Sequence, residues 1–478
     1  MPNPGYPTGV AYSPSRPAPT PTMFDLVLRI LAGVWVELTL TGLLLAPAVL
    51  LGVLVHPLAG IALVLVVVVV VLTVPVLRAG LGRLLYGRIV RRQFDGAVRA
   101  CVIWTYRDQT PKVRRLERVP AGEVLHVAVP VGGTITNLQD SAETLAAALQ
   151  VREVRIERDP DNARRGAVAL VRRDPLTQPA PPWPQLDAGP LSLWAPVPVG
   201  VDDTGRQVAL SLPERNVLLG GEPGAGKSAA LSLLVATAAL DPDVRLHLFD
   251  GKLVELACWA GIADHAVGPD TEQANLVLRA LQAEMETRYL ALLANKARKV
   301  TPTMGLPLHV LVVDELAHYL LAPDRKVRTE FAELLRDLVA RGRAAGLIVL
   351  AATQKPAHDV IPTALRDLFG VRWALRCNTP QASDTILGSG WASAGHTAST
   401  IDPAHRGVGH LLHEGGTPTR LRCHYLDDVD LAELAARAEV IRQTSREAGP
   451  VAVTAVSVAS SPPSERTRRL PSQRAFRR

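Results

Sequence analysis

Two long apolar runs, Ile30 to Val55 and Leu58 to Leu77, dominate the first part of the chain, and only His56-Pro57 clearly separates them. Each is about long enough to cross a hydrocarbon layer of roughly 30 Å as a helix. The valines from Val66 to Val71 would suit a buried strand, but an unbroken run of this length exceeds any ordinary strand. A signal peptide would have a shorter apolar region and no second run. The pattern therefore predicts a two-helix transmembrane hairpin over residues 24–93, with the membrane contacted by residues 30–77. Arg78, Arg83, Arg88, Arg91 and Arg92 follow the second run without an acid among them. Basic residues at span ends are retained in the cytoplasm, so a two-span cell-membrane protein with both termini and the remaining body cytoplasmic is expected. Glu37, inside the first run, lies near its cytoplasmic end and within reach of Arg29 or the interface.

Beyond the hairpin the periodicity changes. Residues 94–174 alternate strand-like runs (Ala100 to Trp104, Val124 to Val129, Val154 to Ile156, Ala167 to Val171) with a helical stretch at Ala142 to Ala148, which predicts a small α/β adaptor. Residues 175–184, Pro-Leu-Thr-Gln-Pro-Ala-Pro-Pro-Trp-Pro, predict a stiff linker. Residues 185–440 read as one α/β unit. Residues 1–23, with seven prolines among Gly, Ser, Thr and Ala, and residues 441–478, rich in Ser, Pro and Arg, are short of large apolar groups, so disordered tails are expected at both ends.

Charge and cysteine content alter this picture little. The chain of 478 residues carries a formal +7, but residues 78–93 and 461–478 supply +5 each, leaving about −3 for everything else. Bulk basicity is thus no evidence that the body binds nucleic acid. Cys101, Cys258, Cys377 and Cys423 lie far apart with no CxxC pair, so they predict buried reduced thiols rather than a disulfide framework.

The chemistry is carried by three strand ends. After the short apolar strand Asn216 to Leu219 comes Gly221-Glu222-Pro223-Gly224-Ala225-Gly226-Lys227-Ser228, then a helical run to Ala239. This is GxxxxGK[ST] in its strand–loop–helix context, where backbone N–H groups surround phosphates at a helix N-terminus. Lys227 would reach the β and γ phosphates of ATP, and the Ser228 hydroxyl would hold Mg²⁺. Leu308 to Val313 is a second strand, ending in Asp314 and Glu315: the first to orient the Mg²⁺ shell, the second to polarise the attacking water. A third strand, Gly346 to Ala352, ends in Thr353-Gln354-Lys355-Pro356, where Gln354 is either a γ-phosphate sensor or part of a capping turn. Arg341 and Arg343 precede that strand. Either one is a finger for a nucleotide on the next subunit, or both complement a helix dipole.

With these motifs in this order, and with Phe249-Asp-Gly-Lys-Leu-Val-Glu-Leu256 and Glu284-Met-Glu-Thr-Arg-Tyr289 between them, residues 190–430 resemble the FtsK/SpoIIIE family of membrane-anchored DNA translocases. The resemblance implies a RecA-like P-loop motor with a mainly parallel sheet, ATP hydrolysis, a homo-hexameric ring threading double-stranded DNA, and phosphate contacts to which Lys252 contributes or beside which it is merely solvated. The compact layout looks more like plasmid-transfer members of actinomycetes than chromosome-segregation members, and Asp250-Gly251-Lys252 stands where Asp-Pro-Lys is usual. Two rival readings are a secretion-system motor that exports polypeptides and a nucleotide-binding membrane scaffold that does not hydrolyse. His396, His405, His410, His413 and His424 lack the cysteine pair or acid that would complete a metal shell, and Trp373 and Trp391 read as core or rim aromatics.

Overall fold

A computed structural model of the chain describes residues 42, 46–101, 109–354 and 360–447. The chain divides into two compact units, Met1–Ala97 and Val98–Arg478. In the first, residues 46–54 are helical and are followed by α1 (Pro57–Thr73) and α2 (Pro75–Ala100). The His56 imidazole accepts a hydrogen bond from the Leu58 N–H at 3.3 Å, and Pro57 occupies a first-turn position where a missing N–H costs nothing.

The straight span expected over Leu58 to Leu77 does not form. Pro75 has no N–H to donate and its ring forces Val74 out of helical geometry, so α1 ends at Thr73 and the axis turns by 88° before α2. Among the described residues no single helix is long and apolar enough to cross a membrane, although the bent pair meets that test jointly. Most of the first apolar run, Glu37 included, lies outside the described residues. Helix α2 runs through the expected boundary at residue 94 to Ala100, the first residue of an expected strand whose remainder from residue 102 lies outside the described residues.

The second unit begins with a four-stranded antiparallel sheet, ordered β1-β2-β4-β3. It comprises β1 (Lys112–Val119), β2 (Gly122–Ala128), β3 (Glu153–Arg158) and β4 (Arg165–Val171), with α3 (Ile135–Asp140) and α4 (Ala142–Leu149) between β2 and β3. Strand β1, Lys-Val-Arg-Arg-Leu-Glu-Arg-Val, has no apolar run to announce it. As an edge strand it needs none, and its charges discourage further pairing. Leu125, Val127, Val168 and Leu170 are buried, as are Ile135, Leu138 and Leu145 of the helices.

The proline-rich segment is a strap rather than a free spacer. Asp174 accepts from the Leu176 N–H at 2.9 Å to cap a short turn, and Leu176 is wholly buried. The Arg422 guanidinium donates to the Leu176 carbonyl at 2.9 Å and also to that of Gln178. Trp183 is buried with its indole N–H on the Pro198 carbonyl at 3.2 Å. Its prolines leave few N–H groups to satisfy, so the strap can lie against a sheet edge at little polar cost.

The large sheet has ten strands in the order β6-β5-β14-β13-β12-β7-β11-β10-β8-β9. Along the chain come β5 (Val197–Asp202), β6 (Gln207–Leu210), β7 (Val217–Gly220), α5 (Lys227–Leu240), β8 (Val244–Phe249), β9 (His265–Val267) and α6 (Thr271–Ala294). Next are β10 (Leu308–Val313), α7 (Leu316–Leu320), α8 (Arg325–Arg341), β11 (Leu347–Thr353), α9 (Thr363–Arg366) and β12 (Val371–Leu375). Then follow α10 (Pro380–Leu387), β13 (Val408–Leu412), β14 (Thr419–Cys423) and α11 (Asp428–Glu447). Strands β12, β7, β11, β10, β8 and β9 are mutually parallel, while β13, β14, β5 and β6 extend the sheet antiparallel. The central parallel strands β7, β10 and β11 are mostly apolar because cores lie on both faces, one including α5 and α11 and the other including α6 and α8.

Helix α11 corrects the tail expected from residue 441. Arg442 within it is buried and donates to the carbonyls of Ala238, Ala239, Asp241 and Val244 at 2.8–3.0 Å, satisfying the C-terminal end of α5 and the turn after it. Residues 448–478 are outside the description. Of the four cysteines, Cys377 and Cys423 are buried as expected, but Cys258 is exposed.

Candidate nucleotide-binding site

The predicted phosphate loop leaves β7 at its carboxyl end and enters α5 at Lys227. Two glycines are fixed by geometry. Gly224 and Gly226 hold φ of +76° and +100°, and a Cβ on Gly226 would stand 2.6 Å from the Gly407 nitrogen. The Gly221 N–H donates to the Thr353 carbonyl at 3.3 Å, tying the loop to the end of β11. Glu222 is pinned to the end of β12, with its N–H on the Arg376 carbonyl at 3.0 Å and its carboxylate 3.2 Å from the Arg376 guanidinium.

Parallel pairing of β7, β11 and β10 brings the three predicted strand ends to one edge. The Lys227 ammonium donates to Asp314 Oδ1 at 2.6 Å and to the Asp314 carbonyl at 3.0 Å, and both side chains are buried. Asp314 Oδ2 is buried with no hydrogen-bond partner among the described residues. Glu315 accepts from the Thr353 hydroxyl at 3.0 Å and from the Gln354 N–H at 3.1 Å, and the Lys252 ammonium stands 3.8 Å from its other oxygen. Lys252 is placed there because Asp250 accepts from the Lys252, Leu253 and Leu256 N–H groups, folding that loop back over the sheet edge. Lys227, Ser228 and Gln354 line a cavity of about 310 Å³, and Gln354 also lines a second one, of about 510 Å³, together with Glu315 and Lys252. The arrangement gathers, at one sheet edge, a phosphate cradle, a buried cation, an unsaturated carboxylate oxygen and a second carboxylate held by hydrogen bonds.

The two predicted arginines are not brought to this edge. They precede β11, at the opposite end of the parallel strands. Arg341 is held by Asp337 at 2.5 Å and Glu286 at 2.7 Å; Arg343 is held by the Glu414 carboxylate at 2.8 Å and the Glu214 carbonyl at 2.6 Å. Sequence reasoning also missed residues that line the same cavity: Ala180, Glu255, Arg406, Cys423 and Tyr425. No motif marks Ala180, Arg406, Cys423 or Tyr425, which arrive from the strap and from the antiparallel extension, far away in sequence, whereas Glu255 lies in the Phe249 to Leu256 stretch that carries the resemblance. Burial raises the Cys423 thiol to about 12, so it is an apolar wall rather than a nucleophile. Of the five histidines, His410 is buried with its ring against that of His396, and Trp373 is wholly buried in the core.

Residues 193–308 match the model of the FtsK/SpoIIIE family. The chain is similar to the DNA translocase FtsK of Staphylococcus epidermidis, at 25% identity over 348 residues, covering 68% of this chain and 42% of that protein. It is also similar to the DNA translocase FtsK of Streptococcus pyogenes, at 28% identity over 305 residues, covering 58% and 37%. The chain thus spans less than half the length of these relatives. Among solved structures, the pCW3 conjugation coupling protein TcpA with ATPγS superposes with a TM-score of 0.48 at 17% identity, covering 74% of this chain and 99% of that one.

Proposed function

We propose, from the match of residues 193–308 to the FtsK/SpoIIIE family and the similarity to the DNA translocases FtsK, that the chain is a member of that family and a P-loop ATPase driving movement along double-stranded DNA, in DNA transfer or chromosome segregation. The observation that carries the ATPase reading is the convergence of Lys227, Asp314 and Glu315 at the carboxyl edge of one parallel sheet, where ligands of open α/β sheets bind. The triphosphate is taken by the loop N–H groups between Gly221 and Ser228, at the positive end of α5. Lys227 exchanges its buried partner Asp314 for the phosphates, releasing a carboxylate that already has one oxygen without a donor. Ser228 and Asp314 form a set of hard oxygen donors suited to Mg²⁺ and would hold it. Held there, such an ion would neutralise charge on the β and γ phosphates. Glu315 accepts the proton of the attacking water, and the Gln354 N–H that fixes its carboxylate makes the 354 segment responsive to what happens at the phosphate.

The DNA substrate follows from the relatives. Phosphate contacts are blind to base sequence, and Lys252, half-exposed beside Glu315, is a candidate for one. We extend the reading to a homo-hexamer in which Arg341 or Arg343 completes the neighbouring subunit's site, and to a cell-membrane anchor over residues 30–77 with the motor cytoplasmic. The apolar runs and the arginines after them support the anchor. Phosphate release measured with and without duplex DNA tests the whole: several-fold stimulation by duplex is expected. Turnover indifferent to DNA favours polypeptide export, and no turnover leaves a scaffold.

A further inference from the structure

The nucleotide cavity has a second wall that no motif foretells. Opposite the phosphate loop, the Gly407 N–H donates to the Ala225 carbonyl at 2.9 Å, and the Cys423 N–H donates to the Gly407 carbonyl at 2.9 Å. Two such backbone steps, each about 4.8 Å wide, lead from the loop to the end of β14. Two residues further on, Tyr425 bridges to Pro182 of the strap, and its N–H meets the Pro181 carbonyl at 3.4 Å. Tyr425 and Ala180 line the cavity at this end, and the Tyr425 residue is 55% exposed although its backbone is tied down. An exposed aromatic ring on a fixed backbone beside an alanine offers a flat apolar surface. Arg406, adjacent to Gly407, lines the same cavity, is exposed, and has no acidic partner within ion-pair distance among the described residues. That sets it apart from Arg341 and Arg343, whose guanidinium groups are both engaged by carboxylates.

The geometry points to a cis wall for the nucleotide: Arg406 faces the phosphates, and Tyr425 stacks on the base against the strap at Ala180. This inference rests on the reading of the cavity as an ATP site and assigns its specificity-determining end. Since the strap is the chain that joins the small antiparallel sheet to the large one, nucleotide occupancy and seating of the strap are linked, each favouring the other.

Calorimetric titration of the purified full chain with ATPγS and with inorganic tripolyphosphate separates the two ends, because tripolyphosphate has no base. Tyr425→Ala is expected to weaken ATPγS about tenfold and to leave tripolyphosphate within twofold of the parent, while Tyr425→Phe, which keeps the ring, restores ATPγS. Arg406→Ala is expected to weaken both ligands by similar factors of about five or more. In steady state, Tyr425→Ala raises KM for ATP with kcat changed by less than threefold. Unchanged ATPγS affinity in Tyr425→Ala overturns the stacking role, as does equal loss of both ligands in that variant. Unchanged tripolyphosphate affinity in Arg406→Ala overturns the phosphate role. Lys227→Ala serves as the reference: if it too binds ATPγS like the parent, the fault lies with the ATP site itself rather than with its second wall.

Discussion

At the carboxyl ends of β7, β10 and β11, Lys227, Asp314 and Glu315 are gathered out of water, and one Asp314 oxygen has no donor among the described residues. At the amino ends of the same strands, Arg341 and Arg343 are each engaged by a carboxylate and a second acceptor. Both edges are charged and both use hydrogen bonds below 3 Å, yet they do different work. A buried charge pair with capacity to spare has reason to change partners when a phosphate offers itself, because its desolvation is already met by the fold. A surface pair already held by carboxylates gains little by moving and contributes little more than local order. A buried ion pair with an acceptor to spare, rather than charge alone, sets this edge apart from the exposed one.

The largest effect that can break this contrast is at Lys227. Lys227→Ala is expected to abolish turnover and to weaken ATPγS at least a hundredfold, because it removes the loop's cation and strands Asp314 without a partner. Glu315→Gln is expected to keep ATPγS affinity within a few-fold while kcat falls by about 10²–10³. Phosphate-release kinetics that show normal turnover in Glu315→Gln would remove that residue from the chemistry.

A second test concerns the histidines that cross β9, β8 and β10. His247 Nδ1 meets His265 Nδ1 at 2.9 Å and His247 Nε2 meets His309 Nδ1 at 3.0 Å, a chain that works only when each bond has one proton. Burial, with its neighbours' charges, lowers His247 to about 4 and His309 to about 3. These values lie below the unfolded value of about 6.5, so the unfolded chain takes up protons first as pH falls. The stability contributed by neutral His247 and His309 is therefore complete above about pH 6.5 and is lost progressively towards pH 4, by about 1–3 kcal/mol. Thermal melts between pH 7.5 and 4.5 should show this slope, and His309→Gln should flatten it. A melt independent of pH in the parent would mean that the chain tolerates a charged imidazole.

The smallest effect is expected at the exposed arginine edge. Arg341→Ala should lower stability by about 0.5–1 kcal/mol and leave ATPγS affinity unchanged, with any loss of kcat confined to concentrations at which subunits assemble. A loss of ATPγS affinity in a dilute monomer would place Arg341 in its own subunit's site and erase the distinction between the edges.

The phosphate loop and the Asp314–Glu315 strand end were legible because their chemistry is local: a turn needing glycines, a lysine one residue into a helix, and acids at the end of an apolar strand. The buried parallel strands were legible for a related reason, since cores on both faces demand apolar residues along the whole strand. Strand β1 was not, because an edge strand can be made almost entirely of charged residues. Pro75 lies inside the run read as one span, because apolar length alone was read there, and the structure bends at it by 88°. The proline-rich strap misled in the other direction: its composition describes a chain that cannot join a helix, not one that cannot pack.

What the sequence determined alone was therefore the set of groups whose spacing along the backbone is also their spacing in space, together with the burial class of the strands that present them. What only the tertiary structure decided was which distant segments close around those groups. Arg406, Tyr425 and Ala180 reach the phosphate loop through antiparallel pairing and a docked strap, and a contact between residues some 245 positions apart leaves no periodicity to read. It depends on sheet order, which many sequences share and none spells out.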